Sequence, residues 1–102
     1  TVKRILLAEL VYCEITQRIV SFYLYDGTII HSKGTLSGLE QDILRHANFV
    51  KPHRSYLVNL RHVSEIKINE ILTDTGKKIP LARGRHGEIC QAFISNAFED
   101  AN

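Results

Sequence analysis

Phe49-Val50-Lys51-Pro52-His53-Arg54-Ser55-Tyr56-Leu57-Val58-Asn59-Leu60 is the most specific stretch of this 102-residue chain. Its apolar half, Tyr56-Leu57-Val58, is made of core-filling strand formers, and residues 48–60 read as extended. Pro52 interrupts them. Proline has no N–H to give to a ladder, so an edge or a bend is expected there. Ser55 and Asn59 are short polar side chains of the kind that bond nearby backbone and hold a loop. His53 and Ser55 would share one face of a strand, a base and a hydroxyl together. No acid and no oxyanion loop accompany them, so the pair is weak as a catalytic constellation.

The flanking sequence extends the β pattern. Residues 11–15 form a short apolar strand candidate. In residues 19–25, Val20, Phe22 and Leu24 alternate with Ser21, Tyr23 and Tyr25, the two-residue period of a half-buried strand. Asp26-Gly27 then suits a tight hairpin with positive φ, and residues 28–32 return. Ser37 and Glu40 have the spacing of a capping box. Leu36, Leu39, Ile43, Leu44 and Ala47 continue as a helical apolar stripe ending near Asn48. Beyond Leu60, residues 63–72 read as further strand, Asp74-Thr75-Gly76-Lys77 as a hairpin, and Ile79 and Leu81 as core. Gly84 and Gly87 precede a last helix with the stripe Ile89, Cys90, Phe93, Ile94, Ala97 and Phe98. The sum is mainly β, with one internal helix and one at the C-terminus.

Composition excludes several classes. At 44% hydrophobic and 24% charged, the chain is neither a disordered tail nor a fibre. Its length suits one domain, residues 1–102, with a core that needs no metal or disulfide. No apolar run approaches the ~20 residues of a membrane span, and the first residues lack a signal peptide's apolar region. The absence of an initiator Met is the mark expected of a piece of a longer protein. Cys13 and Cys90 match no CxxC or secreted-framework spacing, which favours two reduced thiols in a cytoplasmic setting; whether they meet in space stays open. No GxSxG, HExxH, Walker or dinucleotide pattern occurs. His53, His62 and Glu65 lack metal-ligand spacing. Neither an enzyme, a cofactor nor a metal is expected.

Charge is more informative in its distribution than in its net value of +2. Arg45, Lys51, Arg54 and Arg61 lie in an acid-free interval between Asp42 and Glu65. Lys77, Lys78, Arg83 and Arg85 lie in another between Asp74 and Glu88. Eight of the thirteen Lys and Arg, and four of the five His, fall in these two windows. Brought together, they would make a cationic side suited to a polyanion, nucleic acid above all. A solvated surface short of acid is the competing explanation.

The quoted stretch resembles the signature of the LytTR DNA-binding domain, the output module of a class of bacterial response regulators. That signature runs aromatic, x, basic, x, His, Arg or Lys, Ser, aromatic, two aliphatics, Asn. Tyr12-Cys13-Glu14 is similar to the family's opening strand, and Gly34-Thr35-Leu36 with Leu39-Glu40 to its turn into the helix. Gly76-Lys77-Lys78-Ile79-Pro80-Leu81-Ala82-Arg83 is similar to its last hairpin. The matches run in order from about Leu7 to Arg85. Pro52 stands where the family usually has an aliphatic, and Ala82 where Ser is frequent.

The resemblance implies elongated, packed antiparallel sheets of short strands, with edge loops rather than a recognition helix entering successive major grooves of duplex DNA. It implies base reading by Arg18, Arg54 and Arg83, in keeping with the bidentate fit of Arg to guanine. Gln17 stands beside Arg18. Lys51, His53, Lys78, Arg85 and His86 are then phosphate contacts, and Ser55 and Asn59 supports. It also implies a receiver domain ahead of this one in the same chain, direct-repeat half-sites, and pairing on DNA. Other readings are an RNA or single-strand binder that stacks bases on Tyr12, Tyr23 or Tyr25, and a protein-interaction module using the last helix or an open strand edge.

Overall fold

The alternation of Val20 and Phe22 with Ser21 and Tyr23 is realised as a strand whose first pair is buried and whose second is half-buried. The computed structural model describes residues 4–33 and 36–100, with residues 36, 37 and 98–100 described by backbone alone. The strands are β1 (Leu10–Thr16), β2 (Ile19–Leu24), β3 (Ile29–Lys33), β4 (Phe49–His53), β5 (Tyr56–Asn59), β6 (Val63–Ile66), β7 (Glu70–Thr73) and β8 (Lys78–Pro80). Helix α1 (Leu36–Leu44) separates β3 from β4, and α2 (His86–Asp100) follows β8. All pairings are antiparallel: a five-stranded sheet in the order β3-β2-β1-β5-β4, and a three-stranded sheet in the order β6-β7-β8.

The large sheet is the middle layer. Leu57 and Val58 are adjacent on β5, both fully buried, and serve opposite faces. On the Leu57 face, Leu10, Cys13, Val20, Phe22 and Phe49 pack with Ile43 of α1. On the Val58 face, Val11 and Tyr12 pack with Val63, Ile71 and Ile79 of the second sheet, with Leu81 just after β8 and with Ile89 of α2. Each fully buried aliphatic of this kind contributes about 1.5–3 kcal/mol. The main-β expectation is met, and no helix among the described residues is long and apolar enough to cross a membrane.

Several elements differ from the sequence expectation. Residues 48–60 are a hairpin rather than one extended stretch, turning at Arg54-Ser55. Residues 63–72 likewise split into β6 and β7 around Lys67-Ile68-Asn69. Helix α1 stops at Leu44, and Ala47 is exposed, offering only its carbonyl to Asn96 Nδ2 at 3.0 Å. The inner face of α2 carries Ile89, Ala92, Phe93 and Asn96, which leaves Ile94 52% exposed. Helix α1 begins at Leu36, so Ser37 lies in its first turn and not at the cap the capping box requires, and Glu40 pairs with Lys51; the Ser37 and Phe98 side chains and the Gly34-Thr35 turn lie outside the described residues. Pro52 sits on edge strand β4 at an irregularity in its register, as its missing N–H requires.

Both thiols are free. Cys13 is buried, and burial pushes its thiol up to about 12, which keeps it protonated and inert. Cys90 is half-buried on α2, its Sγ 3.5 Å from Nε2 of His86.

Candidate nucleic-acid interface

Antiparallel pairing of β1 with β5 brings two hairpin turns to the same end of the large sheet. Glu14 pairs with Tyr56, and one step further the Ile15 N–H donates to the Ser55 carbonyl at 2.9 Å. The β1–β2 turn, Gln17-Arg18, therefore lies beside the β4–β5 turn, Arg54-Ser55. A third segment docks on the outer edge of β4. There the Ala82 N–H donates to the Pro52 carbonyl at 2.8 Å, and Arg85 Nη1 donates to the Lys51 carbonyl at 2.6 Å. Arg83 follows Ala82, one residue from the Pro52 contact, and Arg54 lies two residues beyond Pro52. Arg18, Arg54 and Arg83 thus share one rim. With ~4.8 Å between strands, the row spans about 17 Å, more than one major groove of ~12 Å.

All three arginines are exposed, and none has a hydrogen bond or ion pair among the described residues. Four cations elsewhere are paired, Arg45 with Asp42, Lys51 with Glu40, Lys67 with Glu70 and Arg85 with Glu88, whereas Arg4, Lys33 and Lys78 are exposed and form no ion pair among the described residues. Like charges ~10 Å apart in water repel by only about 0.4 kcal/mol, so the row is cheap to hold in the free protein.

Each turn has its own local chemistry. The β1–β2 turn closes in two residues between the paired Thr16 and Ile19, with φ 49° at Gln17 and 69° at Arg18. Two positive φ values match the twist of a hairpin, but Asn-Gly normally supplies them; a longer side chain there costs about 1–2 kcal/mol. Arg18→Gly is therefore expected to raise stability by about 1 kcal/mol in urea unfolding and to lower duplex affinity in anisotropy titration. In the second turn, His53 Nδ1 accepts from the Ser55 N–H at 3.1 Å, and the ring stands edge-on to Tyr56 at 5.8 Å. That hydrogen bond leaves the ring proton on Nε2, a donor suited to a phosphate oxygen. In the third turn, the Arg85 N–H donates to the Ala82 carbonyl at 3.1 Å, and Gly84 takes φ 87°. Glycine in that position permits a type II turn with Arg83 at its tip.

The remaining sequence candidates are placed less uniformly. Gln17 shares the strained turn with Arg18. Lys51 is committed to Glu40 through its ammonium and to Arg85 through its carbonyl. Arg85 acts as a clamp between β4 and the third segment. His86 opens α2 against Cys90. Lys78 is exposed but lies five residues before Arg83, about 16 Å along an extended chain. Ser55 contributes through its backbone. Asn59 is fully buried at the opposite end of β5, where it cannot reach a phosphate. It donates to the Leu10 carbonyl at 2.9 Å and accepts from Asn48 Nδ2 at 2.9 Å and the Arg61 N–H at 3.0 Å.

Glu14 serves two tyrosines rather than a basic group. Tyr56 donates to Oε2 at 2.9 Å and Tyr23 to Oε1 at 3.4 Å. Burial, helped by this carboxylate, holds the Tyr56 hydroxyl up to about 12 and raises that of Tyr23 as well, so both remain donors behind the rim. Tyr12 is 5% exposed and stacks face to face on Tyr23 at 4.2 Å, a geometry that leaves it no base to receive. His62, weighed as a metal ligand, has both ring nitrogens engaged, with Asp74 and the Ala8 carbonyl at 2.9 Å each. No group of three or more His, Cys, Asp or Glu among the described residues is placed to hold a metal. Glu14 and Glu40, the carboxylates that brace the rim, lie far in sequence from Tyr56 and Lys51, and no local spacing signals either pairing.

A family model described as the LytTr DNA-binding domain matches residues 1–93. The fold is similar to a solved structure described as the LytTr DNA-binding domain of a methyl-accepting/DNA response regulator from Bacillus cereus. The TM-score is 0.71 at 18% identity, covering 88% of this chain and 84% of that one. No curated protein sequence matches the chain.

Proposed function

The chain belongs to the LytTr DNA-binding domain family, and from that premise we propose that it binds double-stranded DNA sequence-specifically through the rim of Arg18, Arg54 and Arg83. The observation that carries this reading is the alignment of three exposed guanidinium groups from three separate turns, none of them paired among the described residues. Each is free to make a bidentate contact with guanine O6 and N7. The ~17 Å row asks the protein to reach more than one groove, with the phosphates between them met by His53 Nε2, Lys78, His86 and the residual charge of Lys51 and Arg85. Gln17 adds an amide at the Arg18 turn, while Ser55 and Asn59 keep the second hairpin in shape.

In this reading the domain is the output of a bacterial response regulator, preceded in the full chain by a receiver domain. Phosphorylation of the receiver promotes pairing of two copies on direct-repeat half-sites, and the domain alone binds one half-site. The stacking of Tyr12 on Tyr23 takes Tyr12 from the single-strand alternative, and Tyr25, though 59% exposed, follows the end of β2 opposite to Arg18.

Binding-site selection from a random duplex pool tests the proposal. A guanine-containing motif is expected to enrich, and its binding should weaken steeply with salt as counterions return to the phosphates. Failure of any motif to enrich, or equal competition by single strands of the same sequence, would sink it.

A further inference from the structure

We infer that the β6–β7 turn, Lys67-Ile68-Asn69, belongs to the same DNA-facing rim, and that Ile68 packs against a thymine methyl in the groove that Arg83 enters. This rests on the duplex-binding reading above. In the small sheet Glu70 pairs with Pro80 and Ile71 with Ile79. The ladder runs one step further, the Leu81 N–H donating to the Asn69 carbonyl at 3.0 Å. The next step would set Ile68 opposite Ala82, but there the chain turns away to bond Pro52. Ile68 therefore flanks the residue before Arg83.

Ile68 is 75% exposed, more than any other large hydrophobic among the described residues, and it belongs to neither core cluster. A β-branched aliphatic at a turn tip is an unusual choice, since Gly, Asn, Asp and Ser supply turn geometry without exposing apolar surface. Its neighbours are polar. Lys67 is half-exposed and only loosely paired with Glu70 at 4.0 Å. A surface that presents one apolar knob between a cation and an amide, next to a guanidinium, fits a ligand that is anionic overall with small apolar spots. The major groove is such a ligand: its walls are phosphate, and each thymine shows a C5 methyl beside the acceptors of a neighbouring guanine.

The test uses the selected duplex with each thymidine replaced in turn by deoxyuridine, which removes only the methyl group. Binding is followed by fluorescence anisotropy for the unaltered protein, Ile68→Ala and Arg83→Ala. One replacement, beside the base pair that Arg83→Ala no longer discriminates, is expected to weaken the unaltered protein about fourfold, as for one buried methyl. Ile68→Ala should not sense that replacement, and its thermal melting should match that of the parent. If every replacement affects both proteins alike, or none affects either, the inference is wrong, while a loss of base preference in Arg83→Ala leaves the duplex reading standing. If a single-strand competitor displaces the duplex and Arg83→Ala changes nothing, both fall.

Discussion

Arg83→Ala is expected to weaken binding to the selected duplex by about 1–3 kcal/mol, with no change in Tm. The second half of that expectation makes the first informative. Arg83 is exposed and has no partner among the described residues, so its removal takes nothing from the fold. Its turn is held by the backbone of Ala82 and Arg85 and by the positive φ of Gly84, all of which remain. Lysine should not rescue the variant, because an ammonium lacks the planar fork that matches guanine O6 and N7. Arg54→Ala should behave in the same way at a different base position. Arg85→Ala should not: it removes the 2.6 Å bond to the Lys51 carbonyl, so it should lower stability as well as affinity. Anisotropy titrations against the selected duplex and single-base variants, beside thermal melts, separate these outcomes. An unchanged affinity for Arg83→Ala, or an equal loss on every sequence, would remove base reading from its role.

The largest stability effect is expected at Asn59. Asn59→Ala should cost about 3 kcal/mol, read as a lower urea midpoint with the slope unchanged. The side chain is fully buried and satisfies four groups. It donates to the Leu10 carbonyl at 2.9 Å and the Leu7 carbonyl at 3.4 Å, and it accepts from Asn48 Nδ2 and the Arg61 N–H. Removing it leaves buried donors and acceptors unmade, each costing about 1–3 kcal/mol where water cannot enter. Asn59→Asp is the sharper variant. It keeps the acceptor but turns an oxygen toward two carbonyl oxygens, so it should destabilise at least as much as alanine. If Asn59→Asp proves as stable as the parent, the bonds to Leu10 and Leu7 do not hold this end of the sheet together.

Elements whose cause is local are legible in the amino-acid order. Asp26-Gly27 and Gly76 mark turns because only glycine accommodates φ 92° and 90° there cheaply, and β2 is visible through its period of two. The turns at Arg54-Ser55 and Lys67-Ile68-Asn69 contain no glycine or proline. The first is held by the His53 ring, which no turn-residue preference singles out, and the second by the Lys67 N–H bond to the Glu70 carbonyl together with Leu81, fourteen positions beyond Lys67. The inner face of α2 departs from its apolar stripe for a non-local reason: Asn96, a polar residue, takes a buried place because it donates to the Ala47 carbonyl. At the candidate site, the three arginines could be named from the ordered family pattern. Their freedom from ion pairs could not, because it depends on which side chains the fold brings together, as it brings Glu40 to Lys51 and Glu88 to Arg85.

The docking of Ala82 on the edge of β4 has a consequence for the order in which the protein becomes competent. A chain still emerging from the ribosome, with β1 to β5 already formed, would carry two of the three arginines but would leave the β4 edge bare and the third arginine undelivered. The row is complete only after synthesis has passed the last hairpin and that segment has closed along the edge.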